Sequence, residues 1–597
     1  MERLFFLFLL LFVLSCGGGG GSSEPAEEVS VVKPTAYQEV SEPLFSPTPV
    51  RGYFYSSRVK GLTVCAGSDC AQTDSSGYFE LKNTVFKGDP VNLKVYAGGV
   101  KLGEVSLVYN GQRFNPVVLA GGDGRVGALI SAFIHALGGD EGGFSEEVEV
   151  SATVKNPPSE SLVEVLKGGG ELSLETADGR LLRCSLKGVE VCEGGSCVAV
   201  PLRTWAVVYY GAGDNTLSSF VEEDLREMEQ VELPPEVSLV AFVDRRDGTY
   251  SLYDYDHSQK KLVEVERGER EVDSANLSTF YITLSELIAR HPAQHYLVVV
   301  SSHGDGLRAP SRFVALDENP AEILYNWAFK TALKWLKENG YPVDLLALDQ
   351  CLGGSSELLY AVKDFVNYGV VASEYAEPAQ GWPYRWLEVF SKNPSSTPEE
   401  VGRAIVDAFK GFYSNYGEDY FVEPTHNLTL AYYPVEFVRS YSKGVEEFSE
   451  AAKESSFTKR LMGEVRKALY PVESYDGYGR VDAYGLWKAL LKKLSWRWSS
   501  CLEEDGEEVC RRVKTSLENL LNLESLVYAY HYKGAEEGLG EGLPSIFFPF
   551  SSAYSFYFTS SEDGLGYYNP FVESGWPELL EEIYSEGYQI TRPDYAY

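Results

Sequence analysis

Positive charge is scarce in this chain: 52 Lys and Arg stand against 87 Asp and Glu, a formal net charge of −35 over 597 residues. Phosphate binding is driven by Lys and Arg, so no nucleic-acid partner is expected. An acidic field favours cationic partners instead. Past the N-terminus no run reaches the ~18 uninterrupted apolar residues of a spanning helix. No cluster of Cys and His has the spacing of a zinc site, which disfavours a zinc hydrolase. The glycines at 17–21 follow no strand and lack a Gly-Lys-Ser/Thr ending, so they form no phosphate loop. What the chain does have is apolar mass: 44% hydrophobic and 13% aromatic residues lie outside the composition that keeps chains disordered. Its length predicts two to four domains.

The first sixteen residues, MERLFFLFLLLFVLSC, place Arg3 before an apolar run from Leu4 to Leu14 that is too short to cross a bilayer. This is a secretory signal. Its Val-Leu-Ser-Cys ending resembles a bacterial lipobox, which implies lipid attachment at Cys16 and a position in the cell envelope, anchored to the membrane and facing the periplasm or exterior. In that oxidising setting nine cysteines must be accounted for. Cys65 with Cys70 and Cys501 with Cys510 are near enough to close local loops; Cys184, Cys192 and Cys197 yield one disulfide and one spare thiol. Cys351 stands far from any other cysteine.

Residues 17–50 are rich in Gly, Ser, Pro and Glu and read as a flexible tether. Short alternating runs separated by Ser-Gly, Gly-Asp and Gly-Gly turns over 51–120 predict a β-sandwich-like domain, similar to the repeats of bacterial surface lipoproteins. A mostly β connecting region follows over 121–202. From 203 the texture changes. Apolar strands over 205–210, 237–244, 296–301, 345–349 and 370–373 alternate with helical stretches over 219–230, 279–290, 326–338 and 355–366, the pattern of a parallel sheet buried on both faces. The fold class is α/β, a mostly parallel sheet flanked by helices and preceded by an all-β region.

In open α/β sheets the chemistry lies beyond the carboxyl ends of the strands. Here those ends carry Gly213-Asp214-Asn215, Asp244, Ser302-His303-Gly304 and Asp349-Gln350-Cys351-Leu352-Gly353-Gly354. A strand-end cysteine with a strand-end histidine 48 residues upstream suits thiol peptidase chemistry. A thiolate attacks, and an imidazole protonates the departing amine. Gly304 has no side chain to keep its N–H from an oxyanion shared with the Cys351 N–H. A helix beginning near Gly353 would place its positive end beside the thiolate, and two glycines after Cys351 leave room for substrate. The other six histidines lack such a setting, and structural roles are expected for them.

The ordered series Trp205-Ala-Val-Val-Tyr-Tyr, Gly213-Asp214-Asn215-Thr216-Leu217, Ser302-His303-Gly304, Asp349-Gln350-Cys351-Leu352-Gly353, Gly381-Trp382-Pro383-Tyr384 and Gly542-Leu543-Pro544-Ser545 resembles the clostripain family, in the clan of caspases, legumains and gingipains. The resemblance implies a catalytic core at 203–440 completed by 441–597, and cysteine endopeptidase activity through His303 and Cys351. It also implies protein or peptide substrates cut after Arg or Lys, with Asp349 at the floor of the first specificity pocket and Glu374 and Glu377 in another wall. An acid there pairs best with Arg, whose fork matches a carboxylate. Family members are made as precursors that cut themselves between the two catalytic strands, which makes Arg308 and Arg312 candidate self-cleavage sites. They also often require calcium, for which Asp305 or Asp317 is available, although the thiol chemistry itself needs no cofactor. Two rival readings are an inactive surface lipoprotein that binds peptide or glycan on the same scaffold, and an acyl transferase of the transglutaminase or amidase kind, which wants a third residue to orient the imidazole.

Overall fold

The computed structural model describes residues 48–585 apart from 55–57, 87–88, 108–114, 118, 120–121, 146, 270, 305–312, 320, 379, 415–427, 470–478, 533–543 and 550–569. Cys16, nearly all of the tether, Asp305, Arg308 and Arg312 therefore lie outside the described residues. Among the described residues no helix is long and apolar enough to cross a membrane.

Two small sheets open the described chain. One orders Tyr78–Phe86, Thr48–Phe54 and Asn115–Val117; the other orders Asp69–Gln72, Thr63–Ala66, Val91–Ala97 and Val100–Leu107. Their inward faces follow the two-residue period of a strand: Leu93, Val95 and Ala97 are buried while Asn92 and Lys94 are exposed. The stretch after 120 departs from expectation, because it contains a 14-residue helix, Gly124–Leu137, capped by Asp123 accepting from the Val126 N–H. Its sequence, GRVGALISAFIHAL, is apolar nearly all round, so no polar face marked it as amphipathic. That helix and an antiparallel meander over Glu171–Val200 share one hydrophobic core with the sandwich. Position 120 is thus no boundary between cores. Disulfides join Cys65 to Cys70, Cys192 to Cys197 and Cys501 to Cys510, leaving Cys184 as the buried spare thiol.

The rest is built on a nine-stranded sheet: β1 (Trp205–Gly213), β2 (Val237–Arg245), β3 (Thr249–Asp256), β4 (Lys261–Gly268), β5 (His295–Ser301), β6 (Leu345–Asp349), β7 (Gly369–Ala372), β8 (Leu428–Pro434) and β9 (Tyr528–Tyr532). They lie in the order β4-β3-β2-β1-β5-β6-β7-β8-β9. The central strands β2, β1, β5, β6 and β7 are parallel, and an antiparallel pair closes each edge. Alternation along β1 shows why both faces are apolar: Ala206, Val208 and Tyr210 enter one core, Trp205, Val207 and Tyr209 the other.

Helices α1 (Ser218–Met228) and α5 (Pro398–Tyr413) cover the second face; α2 (Leu277–Arg290), α3 (Asn326–Glu338), α4 (Ser356–Val362) and α6 (Val435–Lys453) cover the first. Helix α6 runs through position 440, and the helices after it extend the same core, so the C-terminal part packs as a continuation of the sheet domain.

Candidate active site

Strand register aligns the chemistry. Gly211 pairs with Ser301, and Ser301 with Asp349, so His303 and Cys351 each lie two residues beyond a matched pair on neighbouring parallel strands. The two turns are pressed together: a Cβ at Gly304 would collide with the Cys351 carbonyl oxygen and meet the Gln350 side chain at 3.0 Å. Only glycine fits there.

After Cys351 the chain reverses through Leu352, held in the left-handed region at φ 62°. The Leu352 N–H donates to the Tyr375 carbonyl at 3.0 Å and the Gly354 N–H to the Ser373 carbonyl at 2.6 Å, which fastens the turn to the segment after β7. Gly353 packs against Leu348 and Ala372 and Gly354 against the Ser373 backbone, so these glycines make close packing possible and do not open space for substrate. The helix begins later than expected, at Ser356 behind an N-cap at Ser355. Because dipole effects fade within the first turn, the Cys351 sulfur depends on a nearer group, the Glu377 N–H, which donates to Sγ at 3.3 Å. Cys351 is 5% exposed. Its sulfur is engaged in a disulfide here, so the thiol chemistry below is that of the reduced side chain.

In the loop after β1, Thr216 Oγ1 lies 2.8 Å from His303 Nε2.

Beside Cys351 a pocket is lined by Phe220, Asp224, Ser301, Asp349, Glu377 and Gly381, among others. Three of these are carboxylic acids, each buried to 5% exposure. The Tyr384 hydroxyl donates to Asp349 at 2.8 Å, the Trp382 indole N–H to Glu377 at 2.9 Å and the Tyr209 hydroxyl to Asp224 at 2.7 Å. Burial foremost, then the neighbouring acid Glu227, pushes Asp349 up to about 7. Burial, with Asp349 close by, holds Asp224 and Glu377 well above the usual carboxylate range. Such a pocket gains most from a ligand that brings positive charge.

Asp224 was overlooked in the sequence although a signal existed: Val221, Asp224, Leu225 and Met228 form the buried face of α1, and an acid on that stripe needs a reason. Glu374 does not join the pocket. Its buried carboxyl faces Asp482 and Arg480; burial foremost, then Asp482, holds it well above its ordinary value against the opposing pull of Arg480. Strand parity explains this: Val370 and Ala372 face the first core and Glu374 continues their side, whereas Asp349 continues the side of Leu345 and Ala347.

A second acidic group lies at the neighbouring strand ends. Ligand atoms of Asp214, Glu271 and Asp317 are within 4.8 Å of one another. Asp244, at the end of β2, hydrogen-bonds Asp317 and adds a fourth carboxyl. Burial and mutual repulsion push Asp214 up to about 6 and Asp244 up to about 8. The other Cys-containing groups of metal-like geometry are occupied by the disulfides Cys192–Cys197 and Cys501–Cys510. His291 and His295, four residues apart, turn to different acids, Asp254 at 3.0 Å and Asp344 at 3.5 Å, and so share no ligand.

Among solved structures the chain is similar to a secreted C11 cysteine protease from Bacteroides thetaiotaomicron bound to an irreversible peptide inhibitor. Identity is 17%, coverage 62% of this chain and 99% of that one, and the TM-score 0.45. It is also similar to an inactive zymogen C11 protease from Parabacteroides distasonis at 16% identity, with 66% and 100% coverage and a TM-score of 0.41. No curated protein matches. The family model described as the clostripain family matches residues 208–583, most of the chain and nearly all of the sheet domain that carries His303 and Cys351. The chain belongs to the clostripain family and is a cysteine peptidase.

Proposed function

We propose that this enzyme cleaves peptide bonds after basic residues, Arg above Lys, with Cys351 as nucleophile and His303 as its acid and base. The observation that carries the reading is the pocket of three buried acids, Asp224, Asp349 and Glu377, opening beside Cys351. An Arg or Lys side chain entering it relieves like-charge crowding that nothing apolar can relieve. Glu374 is left out of the pocket.

The Cys351 thiolate attacks the scissile carbonyl, and the tetrahedral oxyanion is held by the N–H groups of Gly304 and Cys351. Protonated His303 gives its proton to the departing amine as the C–N bond breaks, leaving a thioester. Water, deprotonated by His303, then attacks the thioester; the acid product leaves and the thiol is restored. The Glu377 N–H on Sγ favours the thiolate throughout.

Assay of reduced protein with short peptides ending in Arg, Lys, Asn or Asp tests the reading. Cleavage confined to Arg and Lys is expected. Equal rates at Asn or Asp would end the specificity proposal, and binding without turnover would favour the inactive surface-lipoprotein reading.

In the proposed maturation the enzyme cuts itself at Arg312, with Arg308 as the second site, in the segment between the two catalytic strands. Gel electrophoresis should show two fragments meeting near these residues for the natural chain and one band for Cys351→Ala. A single band of full activity rules this out. The protein is proposed to sit in the cell envelope through lipid on Cys16, which incorporation of labelled palmitate, lost in Cys16→Ser, would establish; a labelled Cys16→Ser protein would refute it.

A further inference from the structure

One acid in the pocket beside Cys351 follows from none of the sequence motifs. Asp349 and Glu377 belong to the stretches that carry the family resemblance; Asp224 stands on α1, outside them, and is built into the pocket as firmly as they are.

Strand parity brings it there. Tyr209 on β1, Ser301 on β5 and Asp349 at the end of β6 point to the same face of the sheet, the face that α1 covers. Asp224 comes down from α1 onto the first two: the Tyr209 hydroxyl donates to its Oδ2 at 2.7 Å and the Ser301 hydroxyl at 3.4 Å. Ser301 is level with Asp349 on the next strand, one strand spacing of about 4.8 Å away. Asp224 and Asp349 therefore face the same space, and Asp349 acts on Asp224 through its charge, with no hydrogen bond between them.

Each of these two acids rests on a tyrosine. The Tyr384 hydroxyl donates to Asp349 Oδ2 at 2.8 Å and the Trp382 N–H reaches the same oxygen at 3.4 Å. The rings of Tyr209 and Tyr384 meet edge to face at 5.6 Å. Gly381 leaves Asp349 Oδ1 uncovered, since a Cβ there would lie 2.8 Å from that oxygen. No donor reaches Asp224 Oδ1 among the described residues. Glu377 is placed differently: it hydrogen-bonds Asp349, and two carboxyls can do so only when one of them carries a proton. That pair presents one negative charge, and Asp224 offers a second from a separate element.

A lysine ammonium is a compact charge that one carboxylate can satisfy. A guanidinium is planar, with five N–H groups in a fixed fork, and is held best by acceptors along both edges. Acceptors on one side alone leave its far N–H groups buried without partners, which weakens binding.

We infer that Asp224 is a specificity-determining residue, the second jaw of a two-carboxylate clamp that takes one edge of an arginine guanidinium while Asp349 takes the other, so that the pocket selects an unmodified arginine side chain and not cations in general. The inference rests on the proposed cleavage after basic residues and adds to it the residue that separates arginine from lysine.

The test compares reduced natural enzyme with Asp224→Asn on peptides that differ only in the residue before the cut. These carry arginine, lysine or symmetric dimethylarginine, which keeps the charge but bears a methyl on each terminal nitrogen. For the natural enzyme kcat/KM should be about tenfold or more higher for arginine than for either of the others. Asp224→Asn should lower the arginine value by about ten- to a hundredfold and bring the Arg-to-Lys ratio close to one. Asp349→Asn, which removes the charge that both cations need, should lower both and move that ratio less. Equal losses for arginine and lysine in Asp224→Asn overturn the clamp and leave basic specificity in place. A natural enzyme that cleaves neither peptide overturns the reading beneath it, and the clamp with it. Where Asp224→Asn does not reach the natural melting temperature, the natural chain still decides: dimethylarginine cleaved as fast as arginine overturns the clamp, and its rejection supports it.

Discussion

Cys351→Ala is expected to fold normally and to lose amide hydrolysis by about three orders of magnitude or more, measured on reduced protein with an Arg peptide. The side chain is small and lies in the turn two residues beyond β6 without filling a large volume, and that turn is held by backbone bonds, Leu352 to Tyr375 and Gly354 to Ser373, that alanine leaves in place. What alanine removes is the only atom in the proposed mechanism that can form the thioester. His303→Ala should fall by a comparable factor, since without the imidazole neither the departing amine nor the attacking water exchanges a proton at the right point. The double variant should be scarcely worse than either single one, because residues acting in one step are not additive. Turnover of the Arg peptide by Cys351→Ala near the natural rate would sink the assignment, provided the same sample shows the natural melting temperature.

Asp349→Asn should lose about 3 to 5 kcal/mol of transition-state binding for Arg substrates, by analogy with broken buried ion pairs. That is a fall of about two to three and a half orders of magnitude in kcat/KM. A neutral citrulline peptide of the same shape should be little affected, so the Arg-to-citrulline ratio isolates the charge effect from the cysteine and histidine titrations. In the natural enzyme that ratio should climb as pH rises through about 7, because Asp349, pushed up to about 7, can pair with a cation only once ionised. The groups around it are Asp224 and Glu227 from α1, Glu377 from the segment after β7, and the hydroxyls of Tyr209 and Tyr384. Asp349→Asn should flatten the profile.

The stability effect has the opposite sign. The folded protein holds the Asp349 proton more tightly than the unfolded chain does, so the stability it contributes is full below about 4 and is lost as pH rises through about 7. At pH values above 7 the asparagine variant should therefore melt higher than the natural enzyme while cleaving Arg peptides poorly. A residue that merely propped up the fold would lower both. An unchanged Arg-to-citrulline ratio in Asp349→Asn would place the selecting acid elsewhere, with Asp224 and Glu377 next to be tested.

The sequence alone determined the parallel centre of the sheet and the candidate catalytic pair. Continuous apolar strands such as Trp-Ala-Val-Val-Tyr-Tyr can be buried only on both faces, and a residue at the end of such a strand has one place to go. The edge strands were not legible for the converse reason: β3, TYSLYDYD, and β4, KLVEVERG, alternate polar and apolar residues in runs bounded by turns, and nothing local says which larger sheet they join. The cysteine trio could be reduced to one disulfide and one thiol by counting, yet only the hairpin register, with Cys192 opposite Cys197 and Cys184 opposite Val189, chose the pair. Glu374 and Glu377 looked equivalent three residues apart until the fold set the first beside Asp482 and Arg480 and the second beside Asp349 and Trp382. The carboxyls of Asp214, Asp244, Glu271 and Asp317 are spread over 104 positions with no motif among them. They meet because β1 and β2 run parallel with Ala212 level with Asp244, while two later loops fold back over the same ends. Apolar pattern is a local property, so one dimension carries it; the meeting of like charges from distant segments is decided by topology, which exists only once the chain has folded.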